Sequence, residues 1–145
     1  MKHSAAYTIH LLNAEMDRTA DRLLHQKLNI SYNRFYFLFV INELSTPTQH
    51  AIATALGYSD PAVSTMLAEL TKIDLVSVTV DPKHARRRVV TLTNKGRQTI
   101  RVALDLLDAC FRDVAMRAGV DEAVFGAQAN KLYAALVQKN EEIIT

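Results

Sequence analysis

The sequence predicts a mainly α fold with one small β-hairpin. Three observations lead there. Apolar residues recur at three- and four-residue spacing through most of the 145 residues. That spacing gives way to clear alternation at one place, Val76, Val78 and Val80. Pro and Gly are scarce, and two of the four glycines, Gly57 and Gly119, stand where a helix would stop.

The elements follow in order. From Ala5 to about Leu28, Ile9, Leu12, Met16, Leu23 and Leu24 fall near one face of an amphipathic helix. Ser31 is placed to cap the next helix. Its apolar run, Phe35 to Ile41, is rich in aromatic and β-branched residues that favour strands. The cap and the continuation through Asn42, Glu43 and Leu44 favour a helix. Residues 45–48 form a turn. A short helix from Thr48 to Leu56 turns Ile52, Ala53 and Leu56 inward, and Gly57 ends it. Ser59 caps a further helix, with Pro61 in its first turn, where a missing N–H costs little. Val63, Met66, Leu67 and Leu70 are its inner face, to about Ile73. Two short helices joined by a tight glycine-containing turn make a helix-turn-helix.

Val76, Val78 and Val80 alternate with Ser77 and Thr79 as a half-buried strand. Asp81 and Pro82 open a polar loop, and Val89 to Leu92 return. This hairpin is a wing beside the helix-turn-helix. Thr93 caps a long helix to about Ala118, with Ile100, Leu104, Leu107 and Phe111 on one face. After Gly119, Asp121 or Glu122 starts a last helix carrying Val124, Phe125, Leu132, Leu136, Val137 and Ile143. The predicted organisation is a winged helix-turn-helix domain with its long linking helix at 31–118, and dimerisation helices at 1–30 and 119–145. The terminal helices carry apolar faces with no partner inside the winged helix. A second copy related by a two-fold axis would cover both.

With 49% apolar residues the chain has material for a packed core. Charged residues are 22%, which argues against disorder. Seventeen basic and fifteen acidic residues give a net charge of +2, too small to imply a polyanionic partner alone. Its distribution says more: Lys83, Arg86, Arg87, Arg88, Lys95 and Arg97 fall within 83–97, where there is no Asp or Glu. One cysteine, Cys110, permits no intramolecular disulfide and suits a reducing, cytoplasmic setting; an inert core thiol is the favoured reading. No apolar run is long enough to span a membrane. His3, His10, His25, His50 and His84 show no ligand spacing with Cys, Asp or Glu, so no metal is expected. No nucleophile–base pair and no glycine-rich phosphate loop is apparent, so neither an enzyme nor a cofactor site is expected.

Several segments together resemble the MarR family of bacterial regulators. They are Ile-Ala-Thr-Ala-Leu-Gly-Tyr-Ser at 52–59, Ala-Val-Ser-Thr-Met-Leu-Ala-Glu-Leu at 62–70, Leu75-Val76, Asp81-Pro82, Arg86, and Leu-Thr-Asn-Lys-Gly-Arg at 92–97. The match spans nearly the whole chain. Three positions depart from it. His84 stands two before Arg86, where many relatives have an Asp that braces the Arg. Asp74 stands where glycine is common, and Asp tolerates a left-handed backbone better than most residues. Thr65 stands where many relatives have a basic residue.

The resemblance implies sequence-specific binding of double-stranded DNA by a homodimer, at a near-palindromic site, in transcription regulation. Phosphate neutralisation supplies affinity and base edges supply specificity. The leading residues of the second helix of the motif, Ser59, Asp60, Ala62, Ser64 and Thr65, would enter the major groove. Ser59 is first a helix cap. Lys83, Arg86, Arg87 and Arg88 would serve the wing, reaching a minor groove or its phosphates. Strand alternation puts Arg86 and Arg88 on one face and Arg87 on the other. The resemblance also implies a repressor released by a small apolar effector, with His10, Met16, Tyr32, Tyr36 and Phe39 lining its space. Aromatics at helical spacing are more often plain core. The acidic Asp60 and Glu69, and His84 in place of the wing Asp, leave an alternative: a protein-interaction module that kept the fold and lost specific DNA binding.

Overall fold

The computed structural model describes residues 4–45, 47–81 and 83–144; the side chains of Ala85, Arg86 and Ile144 lie outside the description. Thr46, Pro82 and His3, read above as part of a turn, a loop and the histidine set, also fall outside it. The order is α1 (Ala5–Leu28), α2 (Tyr32–Glu43), α3 (Gln49–Leu56), α4 (Asp60–Lys72), β1 (Val76–Asp81), β2 (His84–Leu92), α5 (Asn94–Ala118) and α6 (Glu122–Ile144). The chain divides into two compact units, Met1–Leu107 and Asp108–Thr145.

Short polar side chains start these helices. A hydroxyl or carboxylate ahead of a first turn accepts one of its unpaired N–H groups. Ser4 accepts from Tyr7, Ser31 from Arg34, Thr48 from Ala51 and Ser59 from Ala62. Thr93 Oγ1 accepts from Gly96 at 2.9 Å, and Asp121 Oδ1 from Val124 at 2.9 Å. The aromatic run of α2 is helical, as its cap suggested. Phe35, Leu38 and Ile41 repeat at three-residue spacing into the core, with Phe37 beside them. Local strand preference loses here to burial at helical period.

The core of the first unit gathers one apolar stripe from each element. Leu24 of α1, Phe37 and Leu38 of α2, Ile52 of α3, Val63 and Leu70 of α4, Val76 of β1 and Val90 of β2 are fully enclosed. Each such side chain contributes about 1.5–3 kcal/mol of burial. Asp74 adopts φ 62°, the left-handed turn that its position required. Around it the end of α4 is fastened to the start of α5. Thr93 Oγ1 donates to Asp74 O at 2.7 Å, Thr93 N to Leu75 O at 3.1 Å, and Lys95 Nζ to Ile73 O at 2.8 Å.

The hairpin is antiparallel, with Val76 opposite Leu92 and Val80 opposite Arg88. A third chain segment joins its edge: Thr48 bridges to Val89, and Val90 N donates to Pro47 O at 2.7 Å. The start of α3 is thereby tied to the wing. Three expectations need correction here. β2 begins at His84 and not at Val89, so the loop is shorter than expected. Val80 is 57% exposed, because the hairpin extends beyond the core that covers Val76. Cys110 is half-buried on α5 and is not a core residue.

In the second unit the rings of Phe111 and Phe125 pack at 6.0 Å, and Arg112 pairs with Glu122 at 3.6 Å. Most of its apolar residues face outward. Leu132, Tyr133, Leu136 and Ile143 are each more than half exposed. In the first unit, Ile9, Leu11, Leu12 and Met16 on α1 are exposed as well. Leu24 is the enclosed member of the stripe expected on α1, and Leu23 is half-buried.

Candidate nucleic-acid interface

An open cleft of about 740 Å³ runs between the wing and the helix-turn-helix. Thr48, Gln49 and His50 of the α3 start, Asp60 of α4, and His84, Arg87 and Arg88 of β2 line it. Local chemistry sets each wall. Thr48 is both the cap of α3 and the residue that bridges to Val89. Gln49 Nε2 donates to Asp60 O at 3.1 Å, which holds the first turn of α4 against that of α3. His50 Nδ1 lies 3.7 Å from Asp60 Oδ1. Lys83 is exposed at the turn, where its N–H donates to Asp81 Oδ1 at 2.9 Å.

The register explains how the arginines gather. Strict alternation would send Arg87 and Arg88 to opposite faces. The ladder shifts between Val80, opposite Arg88, and Asp81, opposite His84. Such irregularities add local twist and re-aim side chains. As a result Arg87 and Arg88 line the same cleft. The side chain of Arg86 lies outside the described residues.

On α4, Ser59, Asp60, Ala62, Ser64 and Thr65 are all exposed, on the face opposite Val63, Leu67 and Leu70. Ser59 is engaged as the cap, and Thr65 Oγ1 donates to Pro61 O at 3.1 Å. Two contacts fix this helix from behind. Arg34 Nη2 of α2 meets Glu69 Oε2 at 2.8 Å, and Tyr58 OH donates to Asn33 Oδ1 at 2.8 Å. Glu69 thus serves as a structural partner for Arg34. Of the residues read from sequence, Asp60, Arg87 and Arg88 meet at the cleft. Sequence reading missed Thr48, Gln49, His50 and His84 as part of it. The helical period would have shown His50 to be outward, but its approach to the wing depends on the fold.

The expected effector residues divide. Tyr32 and Phe39 are half-buried against the core, while His10, Met16 and Tyr36 are exposed. Tyr32 stacks near Tyr36 at 6.3 Å, and its N–H donates to Asp21 Oδ1 at 2.8 Å. Burial, then the Asp17 carboxylate and the Tyr36 ring, push the Tyr32 phenol above its ordinary value of 10.0. It remains a neutral hydrogen-bond donor toward Asp17 at every physiological pH.

Comparison with known proteins completes the description. The MarR family model matches residues 28–87, from the end of α1 into the wing. Among curated protein sequences none matches significantly. Solved structures do match in fold. Wild-type MarR from E. coli in its apo form is 20% identical, with a TM-score of 0.76 over 94% of this chain and 99% of that one. A MepR–DNA complex from S. aureus is 23% identical, with a TM-score of 0.73 over 94% and 99%. A cysteine-to-serine mutant of E. coli MarR in complex with operator DNA is 21% identical, with a TM-score of 0.73 over 90% and 92%. The MarR family match thus covers the helix-turn-helix and much of the wing, and the chain shares the fold of these winged helix-turn-helix structures along almost its whole length.

Proposed function

We propose that this protein is a sequence-specific, double-stranded-DNA-binding transcription regulator that acts as a cytoplasmic homodimer. The observation that carries this reading is the cleft where Arg87 and Arg88 of the wing face the exposed first turn of α4. A helix start is suited to the major groove, and cationic side chains beside it to phosphates. DNA-bound MepR and MarR share this fold and support the same use of it. Ser64, Thr65 and Ala62 read base edges, Asp60 accepts from a cytosine amino group or stands near phosphate, and Lys83, Arg86, Arg87 and Arg88 supply affinity. The protein represses by occupying its site, and a small apolar molecule held near Tyr32, Tyr36, Phe39, His10 and Met16 modulates it. The exposed Tyr36, its ring 6.3 Å from that of the half-buried Tyr32, supports that placement.

The test is a salt titration of binding to the DNA upstream of the protein's own gene, against a scrambled duplex. Preference for the native duplex is expected, with affinity falling about a thousandfold or more between about 50 and about 200 mM salt. Absence of binding to either duplex at low salt would favour the protein-interaction reading instead.

The dimer rests on the exposed apolar residues of α1 and α6. A surface so apolar is costly in water unless a partner covers it. Leu136→Glu, which would bury a charge in that interface, is expected to weaken dimerisation about a hundredfold or more. Sedimentation velocity should then find half the wild-type mass at a concentration where the parent is dimeric. An unchanged mass would remove α6 from the interface.

A further inference from the structure

The cleft holds two histidines that nothing so far has used. His50 sits in the first turn of α3 and His84 opens β2, and both line the cleft. The groups facing His50 are Asp60 on α4, 3.7 Å away, and His84, Arg87 and Arg88 from the wing strand. Asp81 stands opposite His84 across the hairpin. The His50 side chain is 84% exposed and that of Asp60 is 57% exposed, so both meet whatever enters. Among the described residues no group of three His, Cys, Asp or Glu side chains could hold a metal ion.

We propose that this cleft is a proton-linked binding site for the phosphodiester backbone, with His50 as its titrating contact. The inference rests on the DNA-binding reading above and adds a regulation of the same site. Asp60 places a negative charge at the mouth of a cleft otherwise suited to phosphate. A neutral imidazole leaves that charge exposed to the incoming strand. A protonated one offsets Asp60 through Nδ1 and leaves Nε2–H free to donate to a phosphate oxygen. Histidine changes charge between about pH 5 and 8. Phosphate in the cleft favours the protonated form, so binding takes up a proton. By linkage, affinity rises as pH falls through that interval. His84 adds to the effect from the opposite wall.

The experiment is anisotropy of the full-length chain on a mixed-sequence duplex at constant low ionic strength. Non-specific binding is electrostatic, so no operator is needed. The readout is the ratio of affinities at about pH 6 and about pH 8 for each protein. A variant that binds less well at both pH values does not move this ratio. Wild type is expected to bind about five- to tenfold more tightly at the lower pH, as one added favourable charge contact per protomer would give. His50→Gln should bring the ratio to about twofold or less, and His50→Gln with His84→Gln to about one. His25→Gln, on α1, should leave the wild-type ratio. Asp60→Asn should strengthen binding most at the higher pH, where its carboxylate is least offset, and so narrow the ratio. A wild-type ratio near one, or the same ratio in His50→Gln as in wild type, overturns the inference while leaving DNA binding in place. Absence of binding by wild type at every pH instead overturns the reading on which it rests.

Discussion

The Arg87→Glu/Arg88→Glu variant is expected to lose at least about a hundredfold in affinity for duplex DNA at low salt, because two cations per protomer become repulsive. Several arginines of this chain already have carboxylate partners: Arg18 with Glu15, Arg34 with Glu69, Arg112 with Glu122 and Arg117 with Asp113. Among the described residues neither Arg87 nor Arg88 has one. They remain open to a polyanion, on the same wall of the cleft as His84. The salt dependence should change with the affinity, since each lost phosphate contact lowers its slope by about one. Arg18→Glu/Arg101→Glu makes the same change in net charge away from the wing and should retain most of the affinity. That control separates contact at the wing from a general effect of charge. Wild-type affinity and slope in the wing variant would remove the wing from the interface. Both arginines are exposed on β2, so circular dichroism should show an unchanged fold.

Gly96→Ala should destabilise the fold by about 3 kcal/mol, because overpacking here meets backbone and not a flexible side chain. A Cβ at this position would stand 2.1 Å from Leu75 O and 3.1 Å from its carbonyl carbon. Leu75 O cannot simply withdraw, since it accepts from Thr93 N at 3.1 Å. Gly96 is held as well, its own N–H donating to Thr93 Oγ1 at 2.9 Å. Relief would therefore open the fastening between α4 and α5 that orients the helix-turn-helix against the wing. For a chain of this size the loss corresponds to a melting temperature lower by about 6–12 °C. Gly57→Ala is the comparison. Its φ of 66° is unfavourable for a side chain, but the space around it is open. About 1–2 kcal/mol is expected there. Thermal unfolding at one fixed chain concentration measures both, since dissociation of a dimer would otherwise shift the midpoint. A melting temperature for Gly96→Ala equal to wild type would show that α4 and α5 are not fastened as described.

These two sites also show where sequence reading stops. Gly96 was visible as part of Leu-Thr-Asn-Lys-Gly-Arg at 92–97, but nothing local demanded glycine there. The demand comes from Leu75, twenty-one positions earlier in the chain and adjacent only in the fold. Arg87 and Arg88 were legible as a basic cluster, yet alternation assigned them to opposite faces. The register shift beside Val80 and Asp81 overrode it. Asp74 was the reverse case. Its left-handed backbone was anticipated because the resemblance puts glycine at this position and Asp tolerates that conformation, and φ is 62°.

The sequence alone determined the order of helices and hairpin, the capping residues Ser31, Ser59 and Thr93, and the inward stripes of α3 and α4. These depend on contacts within one or two turns, where residue type and spacing act directly on the backbone. The tertiary structure decided which side chains share the cleft. Gln49 reaches Asp60, His50 approaches the same residue, and the wing arginines close the opposite wall. It also decided that Val80 leaves the core and that Glu69 braces Arg34. Such meetings join residues far apart in the chain. They are fixed by packing of whole elements around Leu24, Phe37, Ile52 and Leu70, which no local pattern specifies.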